Sequence, residues 1–269
     1  MKARWLAGAL LVLASGVAAQ TLPPGLMPGE RLPVREVIDG ETVRLGDGRE
    51  LRLAAILAPR STPPRAGQPA RPDPALEHLA LAAHEALATL IEGREVVLHL
   101  APGPQRDRHG RQTAHVATPA AEWVQAVLVS RGLARVQTTA EINVGADILL
   151  RLEAEAREAQ RGLWRHEAFR VRMPDELGRW IETFQIVEGT ATALAGRPAA
   201  GRLALDGQRE RLVLSLSARA RAELREAGWN IERLAGQPLR VRGWLRWQNG
   251  PAIDVTHAAQ VERLAPARN

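Results

Sequence analysis

The sequence predicts a mainly β protein with helices: an α+β chain whose first half forms a five-stranded barrel of the OB type and whose second half forms a smaller OB-like barrel. Two observations predict this. Five short runs rich in β-branched and aliphatic residues are interleaved with three helical periodicities between Val34 and Arg161. From Val187 to Val261 the order is three strands, a helix and two strands, which is again the OB order. No sequence repeat links the halves; only the layout recurs.

In the first half, Val34 to Leu45 reads as one strand, Gly46-Asp47-Gly48 as a tight turn, and Glu50 to Leu57 as its hairpin partner. Ser61 to Pro74 is proline-rich and reads as an irregular loop. Leu76, Leu79, Ala83, Leu87 and Leu90 keep helical spacing up to a C-cap at Gly93. Strands at Glu95–Leu100 and Thr113–Ala117 flank the polar turn Asp107-Arg108-His109-Gly110-Arg111. A helix from Ala120 to Arg131 stops at Gly132, Leu133 to Gln137 supplies a fifth strand, and a third helix spans Asp147 to Arg161.

Met173 to Trp180 reads as part of a linker. Beyond it come strands at Val187–Leu194, Gly201–Leu205 and Arg211–Ser217, a helix capped by Ser217, and strands at Leu239–Trp247 and Ala252–Val261. The expected domains are therefore 34–169 and 185–265, joined by 170–184 and preceded by a Pro/Gly-rich leader at 20–33.

The chain opens with Lys2 and Arg4, an apolar run from Trp5 to Leu13, and the small residues Val17-Ala18-Ala19. That is the layout of a secretory signal peptide at 1–19. The run is shorter than the roughly 20 apolar residues of a membrane helix. The expected location is secreted or periplasmic, with no membrane span after cleavage. Cysteine is absent, so disulfides are excluded and buried cores must supply stability.

Lys2 is the single lysine; beyond the leader peptide 34 arginines face 30 acids, a modest surplus for a nucleic-acid binder. It lies entirely in the second part, where residues 181–269 carry 13 Arg against 9 acids. There Arg240, Arg242, Trp244 and Arg246 alternate onto one face of a strand, which reads equally as a phosphate and base platform or as a solvated strand face.

Asp39-Gly40-Glu41-Thr42 falls inside the first predicted strand, where period-two geometry puts Asp39 and Glu41 on one face. Two carboxylates are an incomplete site for calcium, which takes six to eight oxygens. A solvated strand face is the other reading. His99, His109 and His115 match no familiar ligand spacing, so zinc is not expected.

Taken in order, Val37-Ile38-Asp39-Gly40-Glu41-Thr42-Val43, Leu51-Arg52-Leu53 before Ala58-Pro59, Asp107-Arg108-His109-Gly110-Arg111, and Arg131-Gly132-Leu133-Ala134-Arg135-Val136 resemble the staphylococcal nuclease family. The resemblance covers about Val34 to Trp164. It implies a calcium-dependent phosphodiesterase in which Arg52 and Arg111 hold the phosphate and stabilise its developing charge. Asp107 would pin the turn that aims Arg111.

The metal side departs from the family pattern. Glu41 stands at the first aspartate ligand, beside Asp39; Leu57 stands at the second, and Arg60 at the glutamate proposed as general base. No Asp or Glu occurs from Leu51 through Ala70 to replace them. The chain also has no tyrosine for base stacking, and His109 holds the turn's tyrosine position. His109 and Arg60 are thus candidate substrate contacts. Two functions are expected: an exported DNA or RNA hydrolase with an altered or weakened calcium site, or a non-catalytic tandem-OB nucleic-acid-binding protein of the envelope. Barrels that bind protein or glycan are a third.

Overall fold

The computed structural model describes residues 21–61, 73–103, 106–107, 110–194, 201–229 and 233–265. The expected signal peptide and His109 lie outside these residues. Among them no helix is long and apolar enough to cross a membrane.

The first half closes a barrel in the order β1-β2-β3-β6-β5. Strand β1 (Met27–Asp39) is long enough to serve two neighbours. Its first half pairs with β5 (Glu95–Leu100) and its second half with β2 (Thr42–Leu45), each across a register shift that bends it round the barrel. Strand β3 (Glu50–Leu53) joins β2 antiparallel and β6 (Gln112–Ala117) parallel, and β6 returns to β5. Val37, Val43, Leu51, Leu53, Val96, Leu98 and Val116 fill the interior.

Helix α1 (Pro74–Ile91) is capped by Asp73, which accepts from the Ala75 amide, and buries Leu76, Ala83, Leu87 and Ile91. Helix α2 (Val124–Ser130) is buried throughout, and α3 (Ala146–Glu158) buries Leu149, Leu152, Glu153 and Ala156.

Two expectations for this half are corrected. The run from Val34 to Leu45 is not one strand, because Gly40-Glu41 turns the chain and pairs Asp39 with Thr42. A Cβ on Gly40 would lie 2.7 Å from that of Ala83 and 2.8 Å from that of Ala58, so the turn needs glycine to let α1 approach. The strand after Gly132 is also not a barrel member. It shortens to β7 (Arg135–Val136), which pairs only with β4 (Ile56–Leu57) in a separate ribbon.

The second half is a seven-stranded sheet with order β12-β13-β10-β9-β8-β11-β14. Its members are β8 (Phe184–Ala193), β9 (Arg202–Asp206), β10 (Arg211–Leu216), β11 (Pro238–Trp244), β12 (Arg246–Trp247), β13 (Pro251–Val255) and β14 (Val261–Arg263). Its pairing scheme follows that of the barrel: β10 and β13 run parallel like β3 and β6, and β8 pairs antiparallel with β11 as β1 does with β5. Helix α4 (Ala218–Glu226) follows β10, with the Ser217 hydroxyl accepting from the Ala220 amide. The single last strand expected at 252–261 is instead β13, a 3-10 turn and β14.

The stretch between the two sheets is packed rather than extended. Arg172 is fully buried, donates to the Glu167 carbonyl at 2.6 Å and to the Gln185 side chain at 2.9 Å, and lies 3.6 Å over the Trp180 ring.

Candidate functional site

The site is built on the Gly40-Glu41 turn, the middle of β3 and the segment leaving β4. Leu51 and Leu53 enter the core, so strand alternation turns Arg52 to the other face. On that face Arg52 pairs across to Thr42 on β2 and to Thr113 on β6. Both threonine hydroxyls are buried without a hydrogen-bond partner.

Glu41 is 1 % exposed, and its carboxylate is fully engaged. Oε2 accepts from the Ala58 amide at 2.7 Å; Oε1 lies 3.3 Å from Arg52 Nε and 3.1 Å from Arg60 Nη2. Arg52 also donates through Nη2 to the Ile56 carbonyl and to Gln137 Oε1, both at 2.9 Å. The side chain of Arg60 is 55 % exposed, so its remaining donors face solvent.

Asp39 does not stand beside Glu41 as a second strand ligand. Its Oδ1 accepts from the Glu41 amide at 2.8 Å, the way an Asp closes its own turn. Leu57 is buried and offers no oxygen.

Arg111 immediately precedes β6, two residues before Thr113, the register partner of Arg52. Its guanidinium is turned onto Asp107 at 2.8 Å, and Asp107 Oδ1 also accepts from the Arg111 amide at 3.0 Å. Asp107 thus holds both the amide and the guanidinium of Arg111.

Residues 50–166 match the family model of staphylococcal nuclease homologues. That match and the closed five-stranded barrel together support the staphylococcal nuclease family for this region, and with it a nuclease-like or nucleic-acid-binding role. No curated protein matches the chain.

Nucleases of the family generally use calcium, and the described residues do not fit that ion. The one buried carboxylate in the site is clamped by two guanidinium groups and a backbone amide, Asp39 is held in its turn, and the buried Leu57 offers no side-chain oxygen. Among the described residues no three His, Cys, Asp or Glu side chains come together as a metal site. A calcium ion needs several free oxygens converging on one point.

The basic face expected in the second half is largely consumed. Arg242 is 1 % exposed and lies 2.8 Å from Glu153 of α3 and 2.7 Å from Glu262 of β14. Arg240 bridges Glu188 and Glu262, and Arg246 pairs with Asp254. Trp247, by contrast, is exposed. Burial opposes the charge of Arg242, yet Glu153 and Glu262 outweigh it and its pKa is raised. Arg135 is pulled down to about 10 by burial, with Glu153 only partly compensating and Arg242 adding repulsion.

Sequence reasoning missed Gln137, Glu153 and His257. Glu153 had a visible signal: it falls on the helix stripe of Leu149, Leu152 and Ala156, where an acid demands a buried partner. Gln137 and His257 had none, because their partners are distant in sequence.

Proposed function

We propose that the chain is an exported nuclease-like protein that binds nucleic acid through its first barrel and does not cleave it by a calcium-dependent route. The observation that carries this reading is the clamp on Glu41 by Arg52, Arg60 and the Ala58 amide. A general base is also absent at the family position, since a guanidinium does not accept a proton at neutral pH. Binding rests on Arg52, Arg111 and Arg60, whose forked donors suit phosphate oxygens. The sheet of the second half acts here as an OB-like companion domain.

A residual phosphodiesterase is the second reading, favoured by one observation: Arg52 on β3 is the register partner of Thr113 on β6, and Arg111 precedes that threonine by two residues. Fluorescent single- and double-stranded oligonucleotides titrated with the full chain separate the two. Binding that falls with salt and weakens in Arg52→Ala and Arg111→Ala, with intact oligonucleotide recovered, supports the first. Cleavage abolished by Arg111→Ala supports the second. Export rests on the pattern of residues 1–19 and is tested by the N-terminal sequence of the protein recovered outside the cytoplasm, expected at Gln20.

A further inference from the structure

Residues 135–138 carry an unusual density of contacts across the junction of the two halves. Arg135 donates to the Phe184 carbonyl of β8 at 2.9 Å. Val136 donates to Glu153 at 2.7 Å, and its carbonyl accepts from Arg242 of β11 at 3.3 Å. The Thr138 hydroxyl meets His257 Nε2 at 2.7 Å. Gln137, between them, reaches the other way: its Oε1 accepts from Arg52, and its amide donates to the Ala55 carbonyl at 2.9 Å.

The ribbon β4–β7 pairs only two residues on each side, too few to fix its own register. Three of the four residues 135–138 are held instead by the second half, directly at Arg135, Val136 and Thr138. We propose that 135–138 is a strap through which docking of the C-terminal sheet positions Arg52, with Gln137 as the positioning residue. The C-terminal sheet therefore acts on the candidate site without touching its ligand. Loosening the strap frees Gln137 and removes one of the acceptors that orient Arg52, leaving its guanidinium to the Ile56 carbonyl and Glu41.

The inference rests on reading Arg52 as a phosphate contact, and the test separates the two ideas. In the full chain labelled with [15N]arginine, the Arg52 Nε–Hε resonance, assigned with Arg52→Lys, is followed alongside oligonucleotide affinity. Gln137→Ala and Thr138→Val should both shift or broaden that resonance and weaken binding on the order of fivefold. Thr138→Ser, which restores the hydroxyl, should return both to wild type. His257→Asn approaches the same contact from the other side should Thr138→Val fail to fold. An Arg52 resonance untouched by Thr138→Val or His257→Asn in a folded protein overturns the strap. A wild-type chain that binds no oligonucleotide overturns the functional reading, while the resonance still decides the strap.

Discussion

Arg60 reaches back 19 residues to place Nη2 3.1 Å from Oε1 of Glu41, a carboxylate almost wholly shielded from water. One negative charge is thereby shared between two guanidinium groups, because Arg52 approaches the same oxygen at 3.3 Å. Glu41→Gln keeps an acceptor for the Ala58 amide and removes the charge. It should tighten nucleic-acid binding about three- to tenfold at low salt and steepen the salt dependence, since both arginines become available to phosphate. Anisotropy titrations at several salt concentrations check this; unchanged affinity would place Arg52 and Arg60 outside the binding surface.

The Arg242–Glu153 contact, 2.8 Å long and dry on both sides, joins the second half to α3. Arg242→Met leaves Glu153 and Glu262 without their main counter-charge. Breaking such a pair from one side costs about 3–5 kcal/mol, so urea denaturation should show a large loss of stability. A cost under about 1 kcal/mol would mean that the junction opens to water.

Stability should fall on mild acidification. His115 and His257 both sit at about 4, pushed down mainly by burial; His99 adds to the effect on His115, while Glu223 opposes and Arg219 supports it on His257. His115 has neither ring nitrogen bonded and faces Trp123 and His99. His257 is surrounded by Thr138, Thr256 and, further off, Glu223, Arg219 and Glu141. The unfolded chain takes up these protons near the ordinary value of 6.5, before the folded chain does. Their contribution is therefore full above about pH 6.5 and is lost as pH falls towards 4. Denaturant unfolding at pH 5 should give roughly 2–4 kcal/mol less than at pH 7.5. Glu262 and Glu176, both lowered, act only below the normal carboxylate range of 4.5 and leave this window to the histidines.

Much of the fold was legible because its signals are local. Ser217 caps its helix, and the apolar stripe of α1 appears where its spacing puts it. A closed five-stranded barrel followed from the OB layout, but its membership did not. A single glycine turn at Gly40 divides what alternation reads as one strand, and the approach of Ala83 and Ala58 explains why. The site was half legible. Arg52, Arg60 and Glu41 could be placed by motif, yet their mutual engagement depends on the route of the chain from Leu53 to Arg60. Arg240, Arg242 and Trp244 do alternate along β11, whereas Arg246 belongs to β12; what alternation could not show is that α3 and β14 bring Glu153 and Glu262 to meet Arg240 and Arg242.

The proposed role of Glu41 is to serve guanidinium groups and not a metal ion. The most direct measurement follows the full chain with a fluorescent single-stranded oligonucleotide in millimolar calcium and again in EDTA, reading affinity and strand integrity together. Equal affinity in both and intact strands throughout are expected if Glu41 has that role. Strands cut in calcium and spared in EDTA would contradict it.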